Sequence, residues 1–170
     1  LGRVIQALAG TECTLVIVGD LTVEQRRELH QSSLRWEQLE GLSRERLLIE
    51  YQKCDIVAFV STYEGFGLPI LEAQSTGRPV VTSNVCSMPE VAGEGAVIVD
   101  PYNVEAIRCA FRRLIDDADH RNAVIASGLR NVEHYRLPAV AARYREVYQR
   151  IRITDLEIDR STRDQVALDQ

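Results

Sequence analysis

Short apolar runs alternate with amphipathic helical stretches along nearly the whole chain. Thr14 to Val18, TLVIV, is a continuous run rich in β-branched residues and stopped by Gly19-Asp20. Ile56 to Val60, Pro79 to Ser83 and Gly95 to Val99 repeat the pattern. Runs that are apolar throughout are typical of strands buried on both faces of a parallel sheet. Between them, Val4, Ile5, Leu8 and Ala9 recur at helical spacing, with Gly10 as the stop. Thr22 caps a polar helix to about Ser32, and Ser43 starts one that carries Arg46, Leu47, Glu50 and Tyr51 to Cys54. Leu34 to Leu42 is ambiguous and is taken as a short strand and a loop.

Pro69 to Thr76 is expected to be helical with Gly77 as its stop, and Met88 to Val91 forms a short helical turn. Asn103 caps a helix to Asp116 that places Val104, Ile107, Phe111, Leu114 and Ile115 on one face. Two further helices are expected at about 118–135 and 138–151, the second striped by Val140, Tyr144, Val147, Tyr148 and Ile151. This alternation predicts an α/β fold with a doubly wound, Rossmann-like parallel sheet over residues 1–153. Residues 154–170 read as a polar tail or linker. In such a fold, ligands bind outside the carboxyl ends of the strands. Leu1 already lies inside a helical pattern, so the chain reads as a piece of a longer protein whose first strand is missing.

The length of 170 residues suits one domain with a full core, and 45% hydrophobic with 26% charged residues is an ordinary globular balance. A net charge of −5 speaks against a nucleic-acid partner. No apolar run approaches a membrane span, and there is no signal peptide pattern. Cys13, Cys54, Cys86 and Cys109 form no CxxC pair, so a zinc site is not expected. They read as small buried hydrophobes kept reduced, which suits a cytoplasmic protein. His30, His120 and His134 show no metal or triad spacing, and Trp36 reads as an aromatic plug ahead of a base-pocket wall.

The chemistry concentrates in Ile56 to Thr76. There an apolar run leads to Glu64, then Gly65, Phe66, Gly67, Leu68 and Pro69, and then Glu72. The order is strand, tight turn, helix start, where main-chain N–H groups and the positive end of a helix dipole favour an anion. Glycines there permit unusual backbone angles and a close approach by a ligand. Pro69 is tolerated where its missing N–H would be unpaired. A glycine pair alone is weak evidence, and Glu72 alone fits a helix first turn. Glu64, at a loop position beside an apolar strand, has no such structural excuse. An anion site flanked by two carboxylates that accept hydroxyl groups fits a sugar nucleotide.

Glu64-Gly-Phe-Gly-Leu-Pro-Ile-Leu-Glu72 resembles the E-x7-E motif of retaining GT-B glycosyltransferases of the large family 4, also called group 1. Leu15-Val-Ile-Val-Gly19, Gly41-Leu-Ser43, Tyr51 to Ser61, Gly77-Arg-Pro-Val-Val81, Met88-Pro-Glu-Val91 and Asp100-Pro101 match the family in order and spacing. Val60 departs from a proline common among relatives. The resemblance implies the carboxyl-terminal, donor-binding half of a GT-B fold. It places Glu64 at the transferred sugar as the catalytic residue and Glu72 at the ribose hydroxyls. It also places Gly65, Phe66, Gly67 and Leu68 beside the diphosphate and sugar, and Gly41 and Leu42 beside the base.

The implied reaction transfers a hexose from a GDP- or UDP-linked donor to a glycan or lipid-linked acceptor, without a metal or other cofactor. Thr82 to Glu90 bears a fainter resemblance to enzymes that use GDP-mannose. The basic pair that helps the diphosphate leave lies ahead of Leu1 in the family, and Arg3 sits too far inside its helix to replace it. The family's amino-terminal Rossmann-like domain is expected as a partner, the full protein as a worker at the inner face of a membrane, and the 170-residue piece alone as inactive. A nucleotide-sugar epimerase of the same fold and a non-catalytic nucleotide-binding or scaffolding domain are the rival readings. The complete two-glutamate context speaks against both, while the missing basic pair leaves room for the second.

Overall fold

The computed structural model describes residues 1–168, with side chains as far as residue 152. It forms two compact units, Leu1–Val132 and the chain from Glu133 onward. The first unit runs α1 (Gly2–Leu8), β1 (Thr14–Val18), α2 (Val23–Gln31), β2 (Arg35–Leu39), α3 (Arg44–Lys53) and β3 (Val57–Phe59). It continues through α4 (Leu68–Ser75), β4 (Val80–Ser83), α5 (Met88–Ala92), β5 (Val97–Val99), α6 (Val104–Asp116) and α7 (Ala118–Glu133).

Local chemistry starts these helices where the sequence suggests. Thr22 closes a reciprocal capping box with Gln25 on α2, and Ser43 and Asn103 accept from the N–H groups of Arg46 and Ala106. The ambiguous stretch 34–42 contains β2, whose register places Trp36 beside Leu15.

Every strand pairing is parallel, as the doubly wound reading requires. The strands divide into two ribbons, β1-β2 and β3-β4-β5. β4 shows why the second ribbon is the heart of the unit. All four of its residues are buried, and Val81 packs in a core with Val4 and Ile5 of α1 and Ile107 and Phe111 of α6. Val80 points the other way, into a core with Ile70 and Ala73 of α4 and Met88 and Val91 of α5.

β1 departs from expectation. It pairs on one side only, and its Val16 and Val18 are 40% and 49% exposed while Leu15 and Ile17 reach the core. A run apolar on both faces therefore has only one face covered.

The cysteines also divide. Cys13 and Cys54 are half-buried, whereas Cys86 and Cys109 are exposed, so the expectation of four buried hydrophobes fails for two of them. Burial pushes the Cys54 thiol above its ordinary acidity range, a shift that Arg78 partly offsets. Since the thiolate is the nucleophile, alkylation with iodoacetamide at pH 8 is expected to label Cys86 and Cys109 well before Cys54. Peptide mapping over a time course checks this, and equal rates at Cys54 and Cys86 would contradict it.

In the second unit, α8 runs Leu137–Leu168, past the expected end near 151 and along the stretch read as a polar tail. Its stripe residues Tyr144, Val147, Tyr148 and Ile151 are exposed. Residues 169 and 170, the end of that tail, lie outside the described residues.

Candidate functional site

The site is built on the connection from β3 to α4. Its loop is fastened from the neighbouring strand and turn by hydroxyl groups. Thr82 Oγ1 donates to the Phe59 carbonyl at 2.9 Å and Ser83 Oγ to the Ser61 carbonyl at 2.6 Å, and both side chains are fully buried. Ser87 Oγ, just ahead of α5, donates to the Phe66 carbonyl at 2.9 Å. Three main-chain oxygens, at the end of β3 and along the connection, are thus held by β4 and the turn after it. A loop with this many buried or half-buried anchors is preorganised, which is what a binding turn needs.

Glu64 stands just past the carboxyl end of β3, half-buried, with Ser61 Oγ donating to its Oε1 at 3.1 Å. Glu72 lies beyond the first turn of α4, which contains no acidic residue, so helix-dipole stabilisation does not account for it. It is held instead by Tyr51 of α3, whose Oη donates to Glu72 Oε2 at 3.0 Å. Burial, followed by the negative charge of Glu72, pushes the Tyr51 phenol well above its ordinary range, so it remains a donor at neutral pH.

The glycines divide their duties. Gly67, the N-cap of α4, has φ of +98°, and a Cβ there would sit 3.2 Å from Ile70 Cδ1. Its backbone therefore demands glycine. Gly65 is exposed, has no left-handed φ, and has open space where a Cβ would stand. Nothing in the chain itself requires glycine there, whereas a ligand approaching the main chain would. Of the N–H groups from Phe66 to Ile70, that of Ile70 already donates to the Gly67 carbonyl at 3.0 Å, and Pro69 has none. The side chains of Phe66 and Leu68 beside this stretch are exposed.

Gly41 and Leu42 occupy the loop from β2 to α3, with Gly41 at φ +61°. They belong to the other ribbon, and among the described residues no hydrogen bond joins them to Glu64 or Glu72. Trp36 packs against the core with the His30 ring edge-on at 5.2 Å, which is the plug arrangement.

Three residues near the motif escape a reading by spacing: Ser61, Tyr51 and Arg3. A cavity of about 330 Å³ opens beside Val60, Ser61, Thr62 and Tyr63, with Arg3 and Pro101 on its other side. Arg3 does lie within α1, as the sequence indicates, yet that position brings it to the carboxyl end of β3. Its guanidinium carbon sits 4.7 Å from the centre of the Tyr102 ring, a cation–π distance.

A family model described as glycosyl transferases group 1 matches residues 1–130. The O-antigen chain mannosyltransferase B of Escherichia coli is 42% identical over 85 residues, which is 50% of this chain and 22% of that protein. The MMP alpha-(1->4)-mannosyltransferase of Mycolicibacterium hassiacum is 34% identical over 114 residues, 65% of this chain and 28% of that protein. The chain therefore spans well under half the length of these curated relatives. Among solved structures, Anabaena HepE in complex with UDP-glucose superposes with a TM-score of 0.72 at 22% identity, over 86% of this chain and 44% of that one.

Proposed function

The chain belongs to the group 1 glycosyl transferase family, and from that premise we propose that it is the donor-binding half of a retaining hexosyltransferase. In this reading a nucleoside-diphosphate sugar lies across the β3–α4 turn. Glu64 faces the transferred sugar, Gly65 to Leu68 face the diphosphate and sugar, and Glu72 accepts from the ribose hydroxyls. Gly41 and Leu42 flank the base. An ionised carboxylate accepts two O–H bonds from a vicinal diol at charge-assisted strength, which suits Glu72 to that duty.

The observation that carries the proposal is the Glu64 carboxylate, held by Ser61 at the carboxyl end of a parallel strand in a loop pinned by Thr82, Ser83 and Ser87. Ligands of doubly wound folds bind at that end. Mannose from GDP-mannose is the favoured donor, because two of the similar proteins are mannosyltransferases by name. A fold neighbour carries UDP-glucose, so a UDP-linked donor is the alternative. The acceptor is a hydroxyl of a glycan or lipid-linked glycan, and the full protein adds an acceptor-binding Rossmann-like domain and works without a metal at the inner face of a membrane. Among the described residues no helix is long and apolar enough to cross a membrane. Alone, the 170-residue chain is expected to bind nucleotide weakly and to turn over no substrate.

Thermal denaturation with UDP, GDP, UDP-glucose and GDP-mannose tests the reading. A ligand at about a hundred times its dissociation constant stabilises the folded state by about 2.7 kcal/mol. For a chain of this size that raises the midpoint by roughly 5–10 °C. A shift with one nucleotide family is the expected result. Unchanged midpoints with all four, up to millimolar concentration, would sink the proposal and leave a scaffolding domain.

A further inference from the structure

We infer that Tyr51 is the positioning residue for Glu72. Its hydroxyl fixes the plane of that carboxylate so that the other oxygen faces the ribose diol of a bound nucleoside diphosphate. The inference deepens the donor-site proposal and rests on it.

The geometry is specific. Tyr51 Oη donates to Glu72 Oε2 at 3.0 Å across a separation of 21 residues, from α3 to α4. A phenol has one proton to donate, and here it goes to one oxygen of the pair. Oε1 and the remaining lone pair of Oε2 are left to accept from a ligand. Tyr51 is itself well located. Its ring packs on the cluster formed by Ile70, Ala73 and Met88, so the hydroxyl is delivered from a fixed base. α3 is held at its end by the Cys54 N–H on the Glu50 carbonyl at 3.0 Å.

The electrostatics point the same way. Glu72 has no place in the first turn of α4, and no salt bridge to it occurs among the described residues. The hydroxyl is therefore what restrains a half-buried carboxylate whose terminal torsion is otherwise broad. Glu64 is served in the same manner by Ser61, so each carboxylate of the motif is oriented by one hydroxyl. A carboxylate already in its bound plane loses less freedom when a ligand arrives, and affinity rises accordingly.

The test uses the full-length protein and four forms: unaltered, Tyr51→Phe, Glu72→Gln and the double variant. Calorimetry measures UDP and GDP and their 2′-deoxy counterparts. Tyr51→Phe keeps the ring and its packing, so the melting temperature is expected to hold. Its dissociation constant for the preferred nucleotide is expected to rise about fivefold to tenfold, the scale of one ordinary net hydrogen bond. Its preference for the ribonucleotide over the 2′-deoxy form is expected to shrink. A merely structural role for Tyr51 would not move that ratio. In the double variant Tyr51→Phe is expected to add nothing to Glu72→Gln, the mark of two groups acting as one.

If Glu72→Gln weakens ribonucleotide binding while Tyr51→Phe binds and discriminates as the unaltered protein does, the inference is wrong and the donor-site proposal stands. If Glu72→Gln itself binds normally, the ribose assignment falls and takes the inference with it.

Discussion

Glu64→Gln in the full-length protein is expected to lower kcat by about two to three orders of magnitude, the cost typical of removing one preorganised group that stabilises charge in a transition state. The fold is expected to survive. Ser61 Oγ donates to Glu64 Oε1, and the amide oxygen of glutamine accepts the same bond in nearly the same volume. The loop anchors from Thr82, Ser83 and Ser87 all end on main-chain oxygens, so the substitution leaves them in place. What is lost is the negative charge beside the place proposed for the transferred sugar. Steady-state kinetics with GDP-mannose and UDP-glucose, alongside a melting curve, measure both halves of the expectation. Turnover within threefold of the unaltered protein would remove Glu64 from the reaction. A melting temperature lowered by many degrees would instead give it a structural role.

Glu64 was legible in the sequence because nothing local explains a carboxylate there. Its Ser61 partner lies only three residues away, yet no spacing rule singles out that serine. Glu72 stood out through its pairing with Glu64, and its plain structural reading as a first-turn acid fails, since α4 begins at Leu68 and leaves Glu72 past that turn. The Tyr51 hydroxyl bond that restrains Glu72 joins two helices, and no periodicity connects positions 51 and 72. Arg3 lies inside its helix as read, and its approach to the carboxyl end of β3 is a non-local contact that spacing does not encode.

The strands show the same division between local and non-local information. Four of the five parallel strands follow from short apolar runs and their stops, whereas β2, RWEQL, lies in the stretch that the pattern left ambiguous. The division into two ribbons and the bare face of β1 depend on which edges meet, and a run such as TLVIV does not encode that. Helix caps at Thr22, Ser43 and Asn103 were legible because a cap is settled within four residues. The reach of α8 was not, because α8 continues through residues polar enough to read as a tail.

Gly95 shows this limit at its largest expected energetic cost. By sequence it opens a strand, but β5 begins at Val97, and Gly95 is where the backbone meets α7. A Cβ at Gly95 would lie 2.4 Å from Gly128 Cα, 2.7 Å from Gly128 N and 2.5 Å from Gln74 Nε2. Two of these three atoms are main chain, so no side-chain rotation relieves the overlap, and α7 has to move as a body. Movement there reaches a buried polar network. Gln74 is 1% exposed and donates to the Ala92 carbonyl at 2.9 Å, while Asn131 of α7 donates to Gln74 Oε1 and to the Val91 carbonyl, each at 2.8 Å. Parting α7 from α4 and α5 would leave several of these groups buried without partners, at about 1–3 kcal/mol for each.

Gly95→Ala is therefore expected to destabilise the chain by about 3 kcal/mol or more, at the upper end for overpacking. Gly10→Ala is the control. Gly10 has open space around a Cβ and only its φ of +81° to oppose substitution, so about 1 kcal/mol is expected. Urea denaturation of the two variants decides the matter by the order of their midpoints. If Gly95→Ala unfolds no earlier than Gly10→Ala, the close approach of α7 to the loop before β5 does not hold in solution.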